Sequence, residues 1–225
     1  FSVKGHRYLT HMLRLRAAEA PLANMFASGV LNLREKLRLF LWQLPPRLAF
    51  DPERVEHFLS LLPQDTEQAL ACALRHEPRM LGRTALEIDA RRPLRHALEV
   101  RHPSFGDEAF VRLLRKYNVA LVVADSASRW PECEDVTADF MYLRLHGEQQ
   151  LYAGGYSDAA LDYWAARIRA WSAGSQSADA RLVSAGAPPR RASRDLFCYF
   201  DNDIKARAPF DALRLIEKLG LAKAG

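Results

Sequence analysis

The chain has 225 residues, 49% hydrophobic and 26% charged, a composition that suits one cored globular domain of α/β type. Its net charge of +5 rests more on arginine than on lysine and fits either a solvated basic surface or an anion-binding one, and no apolar run approaches the roughly 18 residues of a membrane helix. Cys72, Cys133 and Cys198 lie far apart without CxxC spacing, so no metal knuckle or activated thiol is indicated and a reducing, cytoplasmic setting is expected.

The chain opens as a strand tail, Ser2 to His6, with Lys4 and His6 on one face by the period-two rule. A loop carrying Arg7, His11, Arg14 and Arg16 follows, the densest basic patch near any strand end. A short helix is expected near Leu22 to Ala27, and Leu31 to Arg38 reads as a helix leading into the strand Leu39 to Pro46. Asp51 and Pro52 open a helix with Val55, Phe58, Leu59 and Leu62 as its apolar stripe, and Asp65 with Gln68 opens a second.

His96 to Phe105 is a short strand that runs into Glu99, Arg101 and His102 and stops at Pro103. A helix from about Asp107 to Tyr117 leads to Ala120 to Ser126, a nearly continuous apolar run ending in Asp125, as a strand covered on both faces would. In Met141 to Gly147 the residues alternate, Tyr142, Arg144 and His146 sharing one face. Ser157 begins a helix with Leu161, Trp164, Ile168 and Trp171 inward, whereas residues 172–194 lack periodicity and read as a flexible insertion. The last unit pairs a strand over Leu196 to Asp203 with a helix from Ala208 whose inward side is expected to be Leu213, Ile216 and Leu219.

Strands alternating with helices imply right-handed crossovers, a parallel sheet, and a ligand site beyond the carboxyl ends of the strands. Six such units are visible, so a TIM-type (β/α)8 barrel requires two more before Phe1, and residues 1–225 are expected to form a single partial barrel. An open doubly wound sheet is the alternative. The strand tips bring forward Lys4, Glu99, Asp125 and His146 as catalytic candidates, and His6, Gln43, Arg101, His102, Arg144 and Asn202 as substrate-binding candidates.

The stretches FSVKGHRYLTH, LWQLPP, HALEVRHPSF, VALVVADS, YLRLHG and YFDNDIKARAPFDAL, in this order, resemble the YecE-like family, also called domain of unknown function seventy-two. The resemblance covers the whole chain and implies a TIM-barrel fold without an assigned activity. Two motifs of that family, a GTSGW-like and an NTxEIN-like strand, would precede Phe1. Asp201 and Asp211 stand where the family often has asparagine.

The chemistry expected of these tips is metal-independent acid-base work on a small anionic substrate, phosphorylated or sugar-like. Glu99 or Asp125 would transfer the proton, His146 would serve as a second acid or base, and Lys4, Arg101 and Arg144 would hold negative charge. The alternative is a nucleic-acid-binding or nuclease-like barrel using Arg7, Arg14, Arg16 and the Arg91, Arg92 and Arg95 cluster on phosphates. His6, His102 and His146 with Glu99 and Asp125 show no metal-ligand spacing, so neither a metal nor a cofactor is expected.

Overall fold

The computed structural model describes residues 1–152 and 154–221, in two compact units that divide after Arg101. In the first, strands β1 (Ser2–Lys4), β2 (Leu39–Gln43) and β3 (His96–Glu99) pair in parallel and in sequence order. Helices α1 (Glu19–Ala27), α2 (Pro52–Ser60) and α3 (Thr66–Ala73) lie in the connections between them. In the second, β4 (Ala120–Asp125), β5 (Phe140–Leu145) and β6 (Asp195–Phe200) pair likewise, with α4 (Glu108–Lys116) before β4, α5 (Asp158–Ser172) between β5 and β6, and α6 (Ala208–Lys218) at the end. The fold is thus α/β, with six parallel strands in sequence order and helices in every connection but that between β4 and β5, consistent with the TIM-type barrel class. No helix among the described residues is long and apolar enough to cross a membrane.

Local chemistry sets the helix starts where the sequence places them. Asp51, Asp65, Asp107 and Ser157 each accept a hydrogen bond from a backbone amide of the first turn, satisfying a donor that the helix itself leaves unpaired. Two expectations fail. The segment expected as a helix over Leu31 to Arg38 is instead a 3-10 turn, Val30–Lys36, interrupted at Arg34, whose φ of 51° no regular helix allows. In α6 the inward side is Ala208, Asp211 and Leu215, while Leu213 is 57% exposed and Ile216 is also exposed. The reason is Asp211: its carboxylate accepts from Tyr156 N, Asn202 Nδ2 and Arg214 Nη1, and those bonds rotate the helix against the apolar rule.

The first unit's core is built around Trp42, wholly buried, with Phe58 edge-on at 5.3 Å and Phe40 and His96 stacked on it. Trp42 Nε1 donates to His96 Nδ1 at 3.1 Å, which leaves the one ring N–H proton on Nε2, which donates to the Pro63 carbonyl oxygen at 2.7 Å. Burial pushes His96 down to about 4 from 6.5, so the folded ring stays neutral where an unfolded histidine takes up a proton. The stability this represents is therefore complete above pH 6.5 and drains away as pH falls towards 4, by on the order of 3 kcal/mol. Urea unfolding of the wild type and of His96→Gln, which cannot ionise, should give curves of stability against pH that converge on acidification over that window. Parallel curves would show that the ring does not carry this dependence.

The second unit's core joins Met141, Leu143 and Leu145 of β5 to Leu161, Trp164, Ile168 and Trp171 of α5. Beneath α5 lies a buried ion pair, Arg167 Nε donating to Glu134 Oε2 at 3.0 Å. Residues 173–194 contain no helix or strand, yet they are tied down: Asp135 accepts from the amides of Val183 (2.8 Å) and Ser184 (3.0 Å), and Gln176 Nε2 donates to the Glu134 carbonyl.

Candidate functional site

Each strand of the first unit ends in a polar side chain: Lys4 on β1, Gln43 on β2 and Glu99 on β3. The register pairs Gln43 with Glu99 and Lys4 with Leu41, so all three point to one face of the sheet. Lys4 Nζ donates to Gln43 Oε1 at 2.8 Å. Arg101, two residues past Glu99, folds back so that its Nε donates to Glu99 Oε1, also at 2.8 Å. Glu99 is fully buried, and a carboxylate removed from water requires such a cation.

The chain after β1 cannot continue as a strand with a side chain at position 5, because Trp42 occupies that space. Gly5 still donates its amide to the Leu41 carbonyl, and the backbone then enters a π-helical turn, Tyr8–Met12, a distortion that recurs at functional sites. The turn puts half-buried His11 among the charges at the strand ends. Burial first, then the positive charges of Arg7, Lys4 and Arg101, hold the His11 imidazole below its ordinary range, with Glu99 opposing. Thr10, buried, places Oγ1 2.9 Å from His11 Nδ1.

In the second unit Arg144 and His146 come together on Asp201. Arg144 Nη2 donates to Asp201 Oδ2 at 2.6 Å, and His146 Nδ1 lies 2.9 Å from the same oxygen. The ring of His146 is fully buried, with the edges of Trp130 and Tyr152 at centroid distances of 5.3 and 5.4 Å. Asp125 is not part of this group. The register pairs it with Leu145, one residue off Arg144, so its side chain points to the opposite face, where Trp164 Nε1 donates to Oδ2 at 3.2 Å. There it borders a cavity of about 350 Å³ with Glu132, Glu148, Tyr163 and Arg181. Burial pushes the Asp125 and Glu132 carboxyls above their usual range, and Glu148 adds to the effect on Asp125.

Three of the residues expected at the site have local tasks instead. His6 is exposed, and its Nδ1 accepts from the Tyr8 amide at 3.1 Å. His102 Nδ1 accepts from the Ser104 amide at 3.2 Å and so closes the turn at Pro103. Asn202, fully buried, donates to the Gly154 carbonyl and to Asp211 Oδ2, both at 2.9 Å, and pins a loop. The structure thus unites Lys4, Gln43, Glu99 and Arg101 in one unit, and Arg144 with His146 in the other. It adds His11, Thr10 and Asp201, of which only the charge of His11 within a basic loop was visible beforehand. Among the described residues no group of three His, Cys, Asp or Glu is disposed to hold a metal ion.

Comparison with known proteins bears on the fold and the family. The chain resembles the crystal structure of a DUF72 family protein from Thermotoga maritima, at 20% identity and a TM-score of 0.68, over 98% of this chain and 73% of that one. It also resembles a DUF72 family protein from Enterococcus faecalis, at 14% identity and a TM-score of 0.53, over 82% of this chain and 59% of that one. At these identities the likeness speaks to the fold. No curated protein matches. The model of the family described as "Protein of unknown function DUF72" matches residues 1–225, all six strands included, and the chain therefore belongs to the DUF72 family.

Proposed function

We propose that the chain binds a small anionic substrate, phosphorylated or sugar-like, at the carboxyl ends of β1 to β3, and acts on it by metal-independent acid-base chemistry. The observation that carries this reading is the gathering of Lys4, Gln43 and Glu99 on one face at the three strand ends, where Lys4 Nζ donates to Gln43 and Arg101 Nε to Glu99. Lys4 and Arg101 hold the anion as charge-assisted donors, Gln43 orients Lys4, and Glu99 is the proton-transfer group. In the second unit Arg144 and His146 converge instead on the carboxylate of Asp201.

The nucleic-acid alternative draws less support, because Arg91 and Arg92 are engaged by Asp65 and Asp89 at 2.9 and 2.5 Å. Thermal unfolding against sugar phosphates, other small anions and oligonucleotides separates the two. A small anion should raise the midpoint by linkage, and Lys4→Gln should weaken that anion about tenfold, the equivalent of one charge-assisted hydrogen bond. A shift seen only with oligonucleotides and fading as salt rises would overturn the reading.

A further inference from the structure

The chemistry proposed above gives the second unit no task, yet that unit buries a histidine at a cost to its own stability. His146, just past the end of β5, is fully buried, and its Nε2 has no hydrogen-bond partner among the described residues. Nδ1 lies 2.9 Å from Asp201 Oδ2, out of line for a regular hydrogen bond. Folded proteins rarely leave a buried polar ring so poorly satisfied without a reason.

Two aromatic side chains close on this imidazole. Trp130 comes from the loop after β4 and Tyr152 from the loop after β5; they meet the His146 ring at 82° and 80°, and their own centroids lie 6.3 Å apart. Both are only half-buried, so these rings meet the solvent where His146 does not. Each loop also holds non-glycine residues in the left-handed region, Ala127 (49°) and Ser128 (62°) before Trp130 and Tyr152 itself (60°), and such strain persists only where the surroundings impose it. Among the described residues the Tyr152 side chain is held by ring contacts alone, and it swings aside without breaking a hydrogen bond.

We propose that this group is a binding site for a neutral carbohydrate ring, which donates one hydroxyl to His146 Nε2 and lays its C–H face against Trp130 and Tyr152. The site lies wholly within the second unit and stands apart from the anion reading of the first. The Asp201 carboxylate beside Nδ1 draws the ring proton to that nitrogen, which leaves Nε2 a bare lone pair in need of a donor. A lone pair repels an anion, and an organic cation would stand near the Arg144 guanidinium, which donates to the same Asp201 oxygen at 2.6 Å. A neutral hydroxyl meets neither objection. The aromatic walls supply the apolar surface that small-ligand sites combine with a few polar groups.

The test is NMR of the chain carrying isotope-labelled histidine, titrated with D-glucose, D-galactose and D-mannose. At least one sugar should saturably move the Nε2 resonance that is missing from His146→Phe. That substitution keeps the shape of the ring without its nitrogens, so it should weaken the sugar about tenfold or more and at the same time raise the thermal midpoint. Tyr152→Ala should weaken the sugar as well, while His57→Gln, an exposed histidine on α2, should leave its affinity unchanged. Circular dichroism checks folding, and the wild-type resonance together with Tyr152→Ala decides the matter if His146→Phe is unfolded. A His146 resonance that no sugar moves overturns the site. Sugar binding that keeps its strength in His146→Phe overturns the role of Nε2, and a resonance moved by inorganic sulfate but by none of the sugars overturns the neutral class of ligand.

Discussion

Gly5→Ala is expected to destabilise the fold by about 3 kcal/mol or more, at the upper end of what overpacking a core costs. A β-carbon at position 5 would stand 2.2 Å from Cε3 and 2.5 Å from Cζ3 of Trp42. Those are ring atoms of a wholly buried side chain, boxed in by Phe40, Phe58 and His96, and the indole N–H is committed to His96. Neither partner can give way cheaply: moving Trp42 orphans His96 Nδ1, and moving the backbone breaks the Gly5 amide bond to Leu41. The next residue back is Lys4, so the same displacement should also disturb its bond to Gln43. Guanidinium unfolding measures the first effect, and an unchanged midpoint would mean that the Trp42 ring has room that the structure does not show.

The second large effect is expected from Arg167→Met, which should cost about 3–5 kcal/mol by leaving a carboxylate buried without its cation. Glu134 is fully buried, and Arg167 Nε is its charged partner at 3.0 Å. The same guanidinium lies 3.7 Å from the centre of the Tyr163 ring and donates to Asp179 Oδ2 at 3.1 Å. Methionine retains the apolar stem, so lost packing accounts for little of the change. Removing the charge on the other side as well, in Arg167→Met with Glu134→Gln, should recover most of the stability, because the amide can be buried at far lower cost. Denaturant midpoints of the two variants check this; a double variant no better than the single one would show that the cation–ring contact, not the buried charge, dominates.

Much of the architecture was legible in the sequence because it depends on local rules. Six strand positions, the aspartate and serine caps and the polar strand tips all follow from periodicity and from unpaired amides that need acceptors. The gathering of Lys4, Gln43 and Glu99 was legible for the same reason, since strand ends and the period of two fix a face. What escaped depends on register and on turns. Asp125 ends its strand as Glu99 does, but its pairing with Leu145 sends it to the helix-facing side, and no single strand discloses its partner's phase. His11 reaches the strand ends through a π-helical turn, for which no spacing rule exists. The outward row of α6, with Phe210, Leu213 and Ile216 exposed, violates the apolar pattern because a buried aspartate holds the opposite side.

That aspartate also bears on the order of folding. The single carboxylate of Asp211 fixes the amide of Tyr156, 55 positions earlier, and the amide of Asn202, which in turn holds the Gly154 carbonyl. The loop before α5 adds to its own bonds, Ser157 to Glu148 and the Gly147 amide to the Tyr156 hydroxyl, a tie to a helix that lies far downstream. Long-range closure of this kind brings its entropic penalty before its reward, so these bonds depend on α6 being in place. Whatever loosens α6 reaches the strand-end side of the second unit without touching a strand.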